Sequence, residues 1–286
     1  LIIALAALRE GLYDVVKASI AGSIVGNILL VLGAAMTMGG LRHREQTFNP
    51  QGARAQATMM TLAAITLVLP AAYQAALGTQ AAPGLVPLSV SISIVLLVVY
   101  ALYLAFSLVT HSALFSGSHA PKDGQSAPSP IGRAAAMLAA STAVIAWMSE
   151  ILVGSIQPAA QSLGLGSVFV GVFIVAILGN AAEHATAVTV ALKDRMDLAL
   201  SIAIGSSIQV ALFVAPVLVL LSLFIGPRPM DLAFPAGLVL TVLLAVLISG
   251  QVAADGRSDW LKGVQLLAVY VVLGLTFFFM PNLASH

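Results

Sequence analysis

Two glutamates, Glu150 and Glu183, fall deep inside long apolar runs, where a carboxylate is hardest to keep. An Asp or a basic residue at the centre of a membrane helix costs about 2.5–3.5 kcal/mol on insertion scales, and a Glu is comparably unwelcome. Such an acid is tolerated where it faces a cation or a water-filled path, or where it is protonated and hydrogen-bonds a neighbouring helix. Glu183 sits in Gly179-Asn180-Ala181-Ala182-Glu183-His184. On an intact helix Asn180, three positions earlier, shares its face, and Gly179 can relax the helix and expose carbonyl oxygens. A carboxylate, an amide and free carbonyls form an all-oxygen set suited to hard cations such as Ca²⁺. Glu183, Asn180 and Gly179 are therefore the candidate cation and proton site, with Glu183 and Asn180 as the metal ligands. His184 lies about 100° around the helix from Glu183. It is expected to pack or support rather than to ligate, with proton relay as its other possible role.

A second set of polar groups lies in neighbouring apolar sequence. Ser206 and Gln209 share a helix face, and so do Ser23 and Asn27, four apart; all four are candidates to line the ion pathway. Gly22 and Gly26 form a GxxxG pattern, which lets helix backbones approach closely. Plain helix packing is the competing explanation for the serines.

These residues need a membrane scaffold to position them. The chain has 286 residues, 60% hydrophobic and 8% charged, whereas soluble domains average about 25% charged. About 20 consecutive apolar residues cross a bilayer as one helix. Apolar windows predict eight full spans, at 15–40, 57–77, 86–109, 134–157, 166–192, 198–224, 232–251 and 260–281, with residues 1–8 ending a ninth. A Ser/Pro/Gly-rich linker at 110–132 divides a first repeat, 1–109, from a second, 133–286. Nine of the twelve basic residues fall on one side of this arrangement; only Arg9, Lys17 and Arg228 fall on the other. That asymmetry puts the 40–56, 110–132, 193–197 and 252–259 loops in the cytoplasm and the C-terminus outside. The net charge of +1 and the lack of a basic run give no sign of a nucleic-acid partner. With no cysteine, thiol metal sites and disulfides are excluded.

The two halves share a register. At an offset of 183, Ile20-Ala21-Gly22-Ser23 matches Ala203-Ile204-Gly205-Ser206, Asp14 matches Asp197, and Ala4 matches Ala187. Five spans in the second half, an odd number, imply copies inserted in opposite directions, an inverted repeat of five-helix halves as in many transporters. The same offset sends Glu183 to the position just before Leu1, where a partner acid is expected, with roughly two more helical segments upstream.

Four stretches together resemble a known family. They are GNAAEHATAVTVAL from Gly179, GSSIQVALFVAP from Gly205, DGRSDWLKGVQLLAVYVVLGLTFFF from Asp255 and LIIALAALREGLYDVVKASIAGSIVGNILLVLG from Leu1. They are similar to the signatures of the Ca²⁺/H⁺ antiporters of the Ca²⁺:cation antiporter superfamily. The resemblance implies an all-α polytopic fold, Glu183 as a carboxylate that binds cation and proton, and Glu150 as a gating or proton-path acid. It implies Ca²⁺ and H⁺ as transported ions in a lipid bilayer, no cofactor and no enzymatic activity. The Ala-rich composition points to a bacterial plasma membrane. One departure is the linker, acidic in many members but holding a single acid, Asp123, here. A Na⁺ or K⁺ antiporter of related fold remains an alternative, since the same oxygens serve several hard cations. An intramembrane enzyme is a weaker one, because Glu183-His184 lacks the second His of a His-Glu-x-x-His motif. The sequence leaves the oligomeric state open.

Overall fold

The computed structural model describes residues 2–112, 131–162 and 166–279. The chain starts with α1 (Ile2–Arg9) and turns at Gly11 into α2 (Tyr13–His43), a 31-residue helix, about 46 Å long at 1.5 Å per residue. A short strand β1 (Glu45–Thr47) leads to α3 (Pro50–Leu77), which a single 3₁₀ turn joins to α4 (Ala82–Ala105). After α5 (Ile131–Ser162) come a helix in two pieces, α6 (Val170–Gly179) and α7 (Ala181–Ala191), and then α8 (Met196–Leu221). The described chain closes with α9 (Ala236–Val252), strand β2 (Arg257–Asp259) and α10 (Trp260–Phe278). This is an all-α polytopic membrane protein.

Position in the bundle follows from which apolar faces are covered. The apolar window of α2 is 83% buried and that of α8 is 56%, against 11% for α3 with α4 and 6% for α5. Thus α2 and α8 form the centre, and the outer helices present Leu, Ile and Val to lipid, an exposure that would be costly in water. Because lipid is as apolar as leucine, helices associate by close packing and polar links rather than by hydrophobic burial. Gly22 shows this: a methyl there would strike the Val172 backbone, so α2 and α6 touch main chain to main chain. Gly263 on α10 meets Thr37 of α2 in the same way. Gly26, the other half of the GxxxG pattern, has open space beside it.

Several structural breaks recur at the offset seen in the sequence. The residues with left-handed backbone before α2 and α8 are Gly11 (φ 73°) and Asp194 (φ 58°). Each following helix loosens into a wider π turn, Gly26–Val31 in α2 and Val210–Val214 in α8. Ser207 Oγ lies 3.4 Å from the carbonyl oxygen of Ile24, its own counterpart at the offset. Counterparts that touch lie at the axis relating the copies, so that axis passes between α2 and α8.

Two expectations need correction. The loop expected at 40–56 is shorter, because Asn49 accepts from the backbone N–H of Gln51 and Gly52 and Pro50 opens α3 seven residues early. The span expected at 232–251 starts at Ala236, since residues 222–235 form an ordered loop. Lys17, near the start of the span expected at 15–40, lies buried in α2 and is paired with Asp231 of that loop at 2.7 Å. The linker falls largely on 113–130, outside the described residues.

Candidate cation and proton site

The helix carrying Glu183 is broken. Asn180 leaves the helical backbone (φ −116°, ψ 12°), and α6 and α7 meet at a 63° bend. With no continuous helix through this point, the shared face expected for Asn180 and Glu183 is not what relates them. Asn180 instead occupies the position before α7, where its carbonyl oxygen accepts from His184 N–H at 3.0 Å. Its side-chain Nδ2 is buried without a partner, as is His184 Nε2. Glu183 thus stands in the first turn of α7, where the free N–H groups and dipole of a helix N-terminus favour negative charge. Gly179 ends α6, exposed, with Ile3 of α1 as its nearest neighbour across the bundle.

A chain of hydrogen bonds reaches Glu183 from the other copy. Asn27 Nδ2 donates to Ser206 Oγ at 3.1 Å, and Ser206 Oγ donates to Glu183 Oε2 at 2.6 Å. Asn27 is 1% exposed, so its amide orients Ser206 from inside the bundle. Glu183, Ser206 and Gln209 share a groove of about 420 Å³ with Ala182, Thr186, Ser201 and Ile202. Ser23 is half-buried and takes no part in this chain of bonds. Thr186 and Ser201 escaped the sequence reading; Thr186 was within reach of it, being three residues after Glu183 and on the same face. The groove offers a carboxylate, three hydroxyls and the Gln209 amide oxygen around water-accessible space, a donor set for a hard cation or a proton.

Glu150 lies elsewhere. It is exposed on α5, which packs against α1, and lines a cavity of about 700 Å³ with Ala6, Arg9, Glu10, Leu12, Gly154 and Pro158. The linings of the two spaces share no residue.

A broken helix presenting a carboxylate beside the axis between repeated halves is the arrangement of a secondary membrane transporter. The Sodium/calcium exchanger protein family matches residues 1–109 and 133–279, and the chain belongs to that family. It is 46% identical to a Ca(2+)/H(+) antiporter of Synechocystis sp. over 99% of this chain and 80% of that protein. It is 40% identical to the Ca(2+)/H(+) antiporter ChaA of Bacillus subtilis, over 98% and 80%. The structure of native YfkE matches with a TM-score of 0.80 at 38% identity, over 98% of this chain and 79% of that one. The H⁺/Ca²⁺ exchanger CAX, at 14% identity and a TM-score of 0.61, shares the fold over 96% and 72%.

Proposed function

We propose that the protein exchanges Ca²⁺ for H⁺ across its membrane, with Glu183 holding one and then the other. The observation that carries this reading is the Asn27–Ser206–Glu183 chain, which aims a carboxylate from the helix break into an open groove. Relatives named as Ca(2+)/H(+) antiporters at 40–46% identity support the choice of ions. In one facing state Glu183 loses its proton and binds cation, with Asn180, Ser206 and Gln209 adding oxygens. When the cation leaves, a proton takes its place on the same carboxylate oxygens. Exposure then switches to the other side, and a proton gradient drives cation out of the cytoplasm.

Glu150, in its separate cavity beside α1, is assigned to gating or to a proton path, and His184 to support of the break. Gly179 supplies the flexible joint. Residues 1–109 and 133–286 act as the two repeats, with the C-terminus outside the cytoplasm and the plasma membrane as the site. Full-length protein in sealed vesicles with an imposed pH gradient should take up ⁴⁵Ca²⁺, and Glu183→Gln should abolish that uptake. Undiminished uptake by the variant would remove Glu183 from the mechanism. Equal uptake of Na⁺ or K⁺ in competition would change the ion.

A further inference from the structure

A second polar space lies beside the groove. Between the first turns of α3 and α8 is a cavity of about 10 Å³, walled by Asn49, Gln56, Asp197 and Ser201, close to the smallest space that holds one water (about 10–15 Å³). Gln56 is 3% exposed, and its Oε1 has no partner, although its side chain engages Tyr103. A buried carbonyl oxygen without a donor costs about 1–3 kcal/mol, a cost that one water in the cavity would remove. Asp197 accepts from Asn49 N–H at 2.6 Å through one oxygen, and a carboxylate has further acceptor capacity. Ser201, four residues on, shares the Asp197 face of α8 and also lines the groove of Glu183.

We propose that Asp197, Ser201 and one water held by Gln56 form a proton route out of the Glu183 groove, separate from the groove's open mouth through which the cation enters. The size of the cavity selects the proton, since Ca²⁺ needs six to eight oxygens and this space admits a single water. A proton leaving Glu183 passes through water in the groove to Ser201 Oγ, and Ser201 gives its original proton to the cavity water. The cavity water gives one of its own to the Asp197 carboxylate, which releases it on the cytoplasmic side. The groove water, Ser201 and the cavity water each give one proton and receive one, so the net transfer is a single proton from Glu183 to Asp197.

Asp197 is the titratable group on the cavity wall. Charged groups on the elements packed around α8 have partners of their own. His43 meets the Leu192 carbonyl oxygen, Asp194 accepts from Gln46, Arg54 donates to the Ala254 carbonyl oxygen, Glu45 pairs with Arg257 and Lys17 pairs with Asp231. Lys193 and Arg195 flank Asp197 in the turn before α8, Arg42 and Arg44 lie at the end of α2, and Asp14 opens it. On α7 the titratable groups are Glu183 and His184.

This route rests on the exchange proposed above, and one pair of assays separates the two ideas. Full-length protein in liposomes is measured for Ca²⁺/H⁺ exchange across a pH range and for Ca²⁺/Ca²⁺ self-exchange, which moves no proton. Asp197→Asn keeps the acceptor for Asn49 without the titrating group, and Gln56→Met removes the carbonyl oxygen at similar length. Each is expected to slow Ca²⁺/H⁺ exchange by about tenfold or more and flatten its pH profile, with self-exchange within about twofold of the unsubstituted protein. Parallel loss of both rates, or an unchanged pH profile, overturns the route. Absence of Ca²⁺/H⁺ exchange in the unsubstituted protein overturns the exchange itself.

Discussion

Replacing Ser206 by alanine removes one oxygen from between two other groups, and the two lose it on unequal terms. Glu183 is exposed to the groove, so water replaces the donor it loses. Asn27, at 1% exposure, has no such substitute, and stranding a buried amide donor costs about 1–3 kcal/mol. Ser206→Ala is therefore expected to destabilise the protein by about 2 kcal/mol. Asn27→Leu deletes the stranded group instead and leaves the Ser206 bond to Glu183 in place, so it should cost about 1 kcal/mol. The double variant has nothing left to strand, and its loss should fall short of the sum by about 1–2 kcal/mol. Reversible unfolding of the full-length protein in mixed micelles, titrated with denaturing detergent, gives all three values. Strict additivity would refute the reasoning, because it would mean that Asn27 does not depend on Ser206 for its acceptor.

Two further outcomes are expected elsewhere. The Lys17–Asp231 pair is largely buried, with side-chain exposures of 11% and 27%, and Lys17 also donates to the Ala233 carbonyl oxygen. Lys17→Met leaves Asp231 unpaired and should cost about 3 kcal/mol in the same unfolding assay, with much of the loss recovered when Asp231→Leu is added. In the exposed turn before α10, Lys262 holds the Asp255 carboxyl below its ordinary value, chiefly through hydrogen bonds of 2.7 and 2.8 Å. A depressed folded value gives a contribution that is present above the ordinary Asp range and lost as pH falls through the folded value. Carboxyl-carbon NMR should show Asp255 titrating below that range, and Lys262→Met should return it upward.

Much of the architecture was legible because membrane helices are written in long apolar windows and their breaks in a few residue types. Gly179 marked a point where the helix could relax, and the left-handed residues Gly11 and Asp194 and the paired π turns fall at the 183-residue register, although the sequence reading did not name them. The contacts that cross the bundle were less visible. Asn27 meets Ser206 over 179 positions, and nothing in the local pattern of either helix names the other. The pairing of Lys17 was hidden because its partner, Asp231, lies in a distant loop whose fold depends on tertiary bonds, among them Leu232 N–H to Ser89 Oγ. The early start of α3 was present in the Asn49-Pro50 pair, a capping signature outweighed by the polar composition of the segment. In the site itself the residue types of Glu183, Ser206 and Gln209 gave the chemistry, while the break decided the geometry, since an intact helix would have turned Asn180 and Glu183 to one face.

The central claim is that one carboxylate holds cation and proton by turns. It is tested most directly by titrating Ca²⁺ into the purified full-length protein in weak buffer while a pH indicator counts the protons released. Binding should release protons, with apparent affinity weakening as pH falls, and Glu183→Gln should bind weakly with little release. Proton release undiminished in Glu183→Gln, or Ca²⁺ binding indifferent to pH in the unsubstituted protein, would contradict the account.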